Sequence, residues 1–220
     1  MNNRPLIAAV AFDMDGIIFN TEDLYDQVGE ILLSRRGRIF TRELKMEMMG
    51  LPAQTAYEIM RTRCGITDSI NQLQTETDAI FDELLPKQLK TMPGLETLLQ
   101  KLESKRIPKI VATSSHRNFA ERNLAQYELT KRFEFVLTAE DVNQGKPHPE
   151  IYLTASQKLD VAPRNLLVLE DSETGSTAAA ASGAFTIAVP TEHSIGLDFS
   201  HVNHIASRLD DEFILSLFDW

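Results

Sequence analysis

The sequence predicts an α/β protein: a doubly wound parallel sheet with an α-helical domain inserted after its first strand. Three observations predict it. Short continuous apolar runs recur along the 220 residues. Helical apolar stripes separate most of them. One long stretch, residues 20–92, shows helical periodicity and no convincing strand. Strands buried on both faces of a parallel sheet read as unbroken apolar runs. Their alternation with helices gives a sheet covered on both sides.

The elements follow in order. Leu6 to Phe12 is the first apolar run and ends at once in Asp13. Further runs are Ile107 to Ala112, Phe135 to Leu137, Leu166 to Leu169 and Phe185 to Val189. Between them, Leu95, Leu98, Leu99 and Leu102 keep the i, i+3, i+4, i+7 spacing of one helix face. Ala120, Leu124 and Tyr127 form a second stripe, and Ile151, Ala155 and Leu159 a third. The alanine-rich Thr177 to Ala181 suits a helix packed close to the sheet.

The stretch 20–92 is too long for a structureless loop in a compact domain. Leu24, Val28, Ile31 and Leu32 share a helix face, as do Tyr57, Met60 and Cys64, and Leu73, Thr77, Ile80 and Leu84. Gly50-Leu51-Pro52 and Gly65 punctuate the helices. The expected organisation is a core of residues 1–19 and 93–220 with a helical domain of 20–92.

Composition narrows the function. Hydrophobic residues make up 43% and charged residues 25%, the balance of a globular protein. The formal net charge is −10 with no Lys/Arg stripe, which argues against nucleic acid as a partner. No apolar run is long enough for a signal-peptide core or a membrane span, so a cytoplasmic protein away from membranes is expected. The single cysteine, Cys64, rules out an intrachain disulfide and is expected to be a buried, inert thiol. Monomer is the default expectation. The C-terminal Phe213, Leu217, Phe218 and Trp220 are expected to cover the core edge.

Four clusters carry chemistry. Asp13-Met14-Asp15-Gly16 follows the first strand. Ligands of open α/β sheets bind beyond the carboxyl ends of the strands. Two carboxylates there repel each other and resist burial, a cost a divalent cation relieves; Mg²⁺ suits such hard oxygen ligands. One carboxylate can attack while the other handles a proton. A solvated Asp-x-Asp-Gly turn accounts for these residues equally well in isolation.

Thr113-Ser114-Ser115 ends a strand in three hydroxyls. These and nearby backbone N–H groups can hold phosphate oxygens, or else cap the following helix. Lys146, between Gly145 and Pro147, can place an ammonium against a phosphate or be an ordinary surface lysine. His148 reads as a loop or helix-start residue. Glu170-Asp171-Ser172 ends another strand and supplies further metal ligands, with Asp171 or Ser172 a candidate helix cap. Each cluster falls at a strand's carboxyl end or in the loop beyond it. Together they make up the parts of a phosphoryl-transfer site.

The four motifs, in this order, resemble the haloacid dehalogenase superfamily, in its phosphatase branch with a helical cap. The resemblance runs from Leu6 to about Val189. It implies a Rossmann-like core, a mobile helical cap and a Mg²⁺-dependent hydrolysis of small phosphorylated metabolites. It implies Asp13 as nucleophile and Asp15 as general acid, then base. Thr113 and Lys146 would hold the transferring phosphoryl group, with Ser114 beside them. Asp13, the Asp15 backbone carbonyl and Asp171 would bind Mg²⁺, with Glu170 direct or through water. The branch it resembles is the β-phosphoglucomutase-like and pseudouridine-5′-phosphatase-like one, and Phe12 to Tyr25 with Ala112 to Ser115 is most similar to pseudouridine-5′-phosphatase-type and sugar-phosphate phosphatases. Substrate choice is expected to come from Tyr25, Gly50 to Gln54 and the Ser114-Ser115 loop.

Departures shape the reading. Many relatives carry Asp where this chain has Asn20, at the entrance of the insertion. Similar mutases carry His in place of Tyr25 and Arg in place of Ala53, which argues against mutase chemistry. True dehalogenases lack an acid at the position of Asp15. A phosphosugar mutase is the alternative enzyme. A receiver-like module phosphorylated on aspartate is the alternative from another class, but receivers lack the helical insertion.

Overall fold

The computed structural model describes residues 5–48 and 53–219, with the side chain of Ala53 outside that set. Gly50, Leu51, Pro52 and Trp220, singled out from the sequence, also lie outside it. Among the described residues, contacts separate two compact units, Met1–Phe19 with Thr91–Trp220, and Asn20–Lys90.

The first unit is built on a six-stranded parallel sheet: β1 (Ala9–Phe12), β2 (Lys109–Ala112), β3 (Val136–Leu137), β4 (Leu166–Glu170), β5 (Phe185–Ala188) and β6 (His204–Ile205). Their order across the sheet is β3-β2-β1-β4-β5-β6. Every residue of β1, β2 and β4 is buried, which is why these strands read as unbroken apolar runs. Four of these strands are shorter than the apolar runs that predict them, while β4 extends one residue beyond its run, to Glu170. The sixth, His204–Ile205, had no such run: it has two residues, and Ile205 is exposed.

Helices flank both faces of the sheet. The second unit holds α1 (Thr21–Ser34), α2 (Arg42–Met48), α3 (Ala53–Cys64) and α4 (Ile70–Gln88). The first unit holds α5 (Leu95–Ser104), α6 (Arg117–Gln126), α7 (Glu150–Leu159), α8 (Glu173–Ser182) and the short α9 (Glu212–Ser216). Ala9, Ala11, Ile110, Ala112, Leu166 and Val168 share one sheet face, because side chains alternate along a strand. Onto that face pack Tyr152 and Ala155 of α7 with Ala178 and Ala179 of α8. Small side chains on both layers let these helices lie close. On the alternate side of β1, Phe12 meets Phe133 edge-on at 5.6 Å. Leu217 and Phe218 are buried, while Phe213 is partly exposed and stacks on His204.

In the helical unit, α1 and α4 carry the main apolar contact, through Leu24, Val28, Leu32 and Leu33 on one and Leu73, Ile80, Phe81 and Leu85 on the other. Tyr25 meets Phe81 edge-on at 4.7 Å. Arg36 forks to Asp68 and Glu76 at 2.8 and 2.6 Å. Ser69 and Gln72 form a capping box at the start of α4. Cys64 differs from its expectation. It is only half-buried, because Met60 is the one member of its face that is fully covered.

The unit's two ends are tied together. Asn20 N–H donates to the Lys90 carbonyl at 3.1 Å, and Lys90 N–H donates to Asn20 Oδ1 at 2.6 Å. Thr91 and Met92 pair instead with Phe19 and Ile18 of the first unit. No helix of the described residues is long and apolar enough to cross a membrane.

Candidate active site

The sheet register brings the motifs to one edge. Phe12 of β1 pairs with Val111 of β2 and with Leu169 of β4. The next residues in register, Asp13 just beyond β1, Ala112 at the end of β2 and Glu170 at the end of β4, therefore lie side by side at the carboxyl ends, with Thr113 and Asp171 directly after. Asp13 N–H still donates to Leu169 O at 3.0 Å, and Thr113 N–H to Leu137 O at 2.9 Å. The backbone of each chemical residue is thus held by the ladder it terminates.

Asp13 is 6% exposed. Its Oδ1 accepts a hydrogen bond from Lys146 Nζ at 2.5 Å. The same ammonium donates to Glu170 Oε1 at 2.6 Å and to the Ala112 carbonyl at 3.0 Å. Lys146 is therefore no surface lysine: its loop turns it inward to a buried ion-pair cluster. Glu170 is fully buried, and its Oε1 also accepts from Tyr152 Oη at 2.6 Å. Its Oε2 accepts from Ser172 Oγ at 3.0 Å. Of the two cap candidates it is Ser172 that caps α8, its hydroxyl accepting from Gly175 N–H at 3.1 Å.

Asp15 sits in a tight turn. Gly16 N–H donates to Phe19 O at 2.8 Å, and the amides of Ile18 and Phe19 return to Met14 O. Asp15 Oδ2 accepts from Ser115 Oγ at 2.8 Å and from Thr113 Oγ1 at 3.3 Å. Thr113 Oγ1 in turn accepts from Ser115 N–H at 3.0 Å. The hydroxyl pair is thus committed to Asp15, and the following helix takes His116 rather than these residues as its N-cap. Ser114 is exposed, and no hydrogen bond among the described residues draws it into this network.

Two glycines make room for the carboxylates. Gly16 has φ +78°, and a Cβ there would overlap the Asp171 carboxylate. Gly175, in the first turn of α8, lies so close to Glu170 that a Cβ would overlap its carboxylate.

The electrostatics follow from burial. It pushes the Asp13 carboxyl well above the ordinary carboxylate range; Lys146 opposes the shift, while Glu170 and Asp15 add to it. Burial alone would lower the Lys146 ammonium, but Asp13 and Glu170 carry it well above its ordinary value. Asp13, Glu170 and Asp171 are all buried, and each offers an oxygen within 4.8 Å of the others. Three buried carboxylates against one ammonium leave excess negative charge in low dielectric. This hard-oxygen donor set fits a divalent cation such as Mg²⁺. The Asp15 carboxylate stands apart from that set, turned to its hydroxyls.

Sequence reasoning missed two members of the network. Ser115 was grouped with phosphate anchors, not with Asp15. Tyr152 lies between the apolar stripe residues Ile151 and Ala155 and breaks no period of that stripe. Its signal was available: a buried tyrosine needs a partner for its hydroxyl, and Tyr152 lies soon after Lys146.

Residues 10–189 match the sequence profile of the family described as haloacid dehalogenase-like hydrolase. A phosphorylated carbohydrates phosphatase of Thermotoga maritima is 35% identical over 179 residues, spanning 80% of this chain and 81% of that one. A (DL)-glycerol-3-phosphatase 2 of Arabidopsis thaliana is 34% identical over 225 aligned positions, spanning 99% and 90%. The crystal structure of CbbY from Rhodobacter sphaeroides in complex with phosphate has the same fold, with a TM-score of 0.81 at 22% identity, over 97% of this chain and 100% of that one. The chain belongs to the haloacid dehalogenase-like hydrolase family.

Proposed function

We propose that this protein is a Mg²⁺-dependent phosphatase of small phosphorylated metabolites, acting through an aspartyl-phosphate on Asp13. One observation carries the reading. A buried carboxylate at a strand end contacts an ammonium at 2.5 Å and belongs to a three-carboxylate donor set, while a second carboxylate two residues on is held apart by hydroxyls.

The division of labour follows. Asp13 Oδ attacks phosphorus, the ester P–O bond breaks, and Asp15 gives its proton to the departing alkoxide. Asp15 then takes a proton from the water that cleaves the acyl-phosphate, which restores the Asp13 carboxylate and releases inorganic phosphate. Lys146 offsets charge on the phosphoryl oxygens, and Thr113 and Ser114 border the same edge. Asp13, Asp171 and Glu170, with the Asp15 carbonyl, are the residues that would hold Mg²⁺. When bound, the ion supplies charge neutralisation on the phosphoryl group.

The relatives' names, a phosphatase of phosphorylated carbohydrates and one of glycerol-3-phosphate, support a small polyol or sugar phosphate as substrate. The test is a phosphate-release screen over sugar, polyol and nucleoside monophosphates, with and without Mg²⁺, using Asp13→Asn as the blank. Mg²⁺-dependent release lost in Asp13→Asn is expected. Release by folded Asp13→Asn at the wild-type rate overturns the mechanism. Conversion to an isomeric sugar phosphate without free phosphate would replace it with the mutase.

A further inference from the structure

We propose that Tyr152 is a positioning residue of this site: its hydroxyl holds the Glu170 carboxylate where that carboxylate fixes the Lys146 ammonium against the reacting group. The proposal rests on the phosphatase reading above and adds to it a residue outside the four motifs.

Tyr152 stands in the first turn of α7, with its side chain wholly buried. Its hydroxyl donates to Glu170 Oε1 at 2.6 Å, a short bond to a buried acceptor. Lys146 Nζ donates to the same oxygen at 2.6 Å. That ammonium also lies 5.2 Å from the Tyr152 ring centroid, within cation–π range. Tyr152 therefore acts on Lys146 twice, through Glu170 and through its ring. Ser172 Oγ donates to the other oxygen, Glu170 Oε2, and Gly175 lies close against the whole carboxylate.

The three hydrogens of the ammonium are directed to Asp13 Oδ1, Glu170 Oε1 and the Ala112 carbonyl. The Asp13 partner is the one the chemistry consumes. Once Asp13 carries the phosphoryl group, its carboxylate charge is gone. The Glu170 oxygen and one carbonyl are then what keep a flexible four-carbon stem in place. A phenylalanine at 152 would keep the ring and leave Lys146 as the remaining partner of Glu170 Oε1, so that this oxygen is held less firmly than with both. Partners that orient site residues from behind matter in this way though they never touch substrate.

The test is Tyr152→Phe, read in two ways. In steady-state phosphate release, kcat is expected to fall about tenfold with KM within about twofold. In ¹⁵N-lysine NMR of the metal-free protein, the slowly exchanging Lys146 ammonium signal, assigned by its loss in Lys146→Arg, is expected to shift and exchange faster. In a Glu170→Gln background the same tyrosine change should add no further loss. Wild-type kcat together with an unmoved Lys146 signal overturns the proposal. If the wild-type protein releases phosphate from no ester, the phosphatase reading fails, and the NMR signal alone still decides the positioning. Should Tyr152→Phe not fold, Glu170→Gln must itself move the Lys146 signal; a signal unmoved there overturns the proposal too.

Discussion

Ser115 Oγ donates to Asp15 Oδ2 at 2.8 Å, a shorter bond than the 3.3 Å one from Thr113 Oγ1. Of these two hydroxyls, Ser115 therefore holds the proposed general acid the more closely. The Ser115 amide in turn holds Thr113 Oγ1 at 3.0 Å, so one residue fixes both. Ser115→Ala should cost about 1 kcal/mol of stability. Its effect on rate should depend on the leaving group. Alkyl phosphates, whose alkoxide needs a proton, should slow about tenfold or more. An aryl phosphate, whose phenolate leaves without one, should slow much less. Equal slowing of both would remove Ser115 from any role through Asp15.

Asp13→Asn should stabilise the metal-free protein while it abolishes turnover. The Asp13 carboxyl is held well above its ordinary value of 3.8, first by burial. A group raised in the folded state contributes stability that is full below its unfolded pKa and is lost as pH rises through the folded value. Asparagine keeps the shape and has no such loss, and Lys146 keeps Glu170 as its partner at 2.6 Å. The gain in urea midpoint should be near zero at pH 4 and grow toward neutral pH. A variant less stable than the parent across that range contradicts the sign of the Asp13 shift.

Gly175→Ala sets two effects of opposite sign against each other. Alanine inside a helix is favoured over glycine by about 1 kcal/mol. Here the new Cβ would overlap the Glu170 carboxylate, which is pinned by Lys146, Tyr152 and Ser172 and cannot swing aside. Overpacking a fixed group costs about 1–3 kcal/mol, so the net change should be destabilising. Activity should drop with it, because Glu170 and Lys146 move together. A Gly175→Ala protein with a raised melting temperature and full activity would mean that Glu170 is free to relax.

How much of this was legible in the sequence depends on how local each signal was. β1 and Asp13 were plain, because a strand buried on both faces writes itself as a continuous apolar run and a carboxylate at its end stands out. That Asp13, Lys146, Glu170 and Asp171 lie together was legible too, since parallel strands present their carboxyl ends, and the loops beyond them, on one edge. β6 was hidden because two residues, one of them the exposed Ile205, carry no period. Cys64 was misjudged because helical spacing shows which residues share a face, not how much of that face another element covers. Ser115 and Tyr152 escaped because a hydroxyl's partner is fixed by tertiary geometry. Thr113, Ser114 and Ser115 are equivalent as a string, and only the fold turns Ser115 to Asp15 and leaves Ser114 exposed.

Asn20 stands where the resemblance leads one to expect aspartate, and the structure gives it a task that needs an amide. Its Oδ1 accepts from Lys90 N–H at 2.6 Å, which ties the end of the helical unit to its beginning. Its Nδ2 donates to Asp23 Oδ2 at 3.0 Å, which fixes the amide's orientation. Aspartate could keep the first bond but not the second, and would set a second carboxylate against Asp23. Asn20→Asp should therefore retain protection of the Lys90 amide in hydrogen exchange at low pH and lose part of it as the two carboxylates ionise. Asn20→Ala should lose it at every pH, by about tenfold in exchange rate for a bond worth on the order of 1 kcal/mol. If Lys90 exchanges alike in all three proteins, the Asn20 side chain is not what closes the two ends, and the backbone bond from Asn20 N–H to Lys90 O at 3.1 Å suffices by itself.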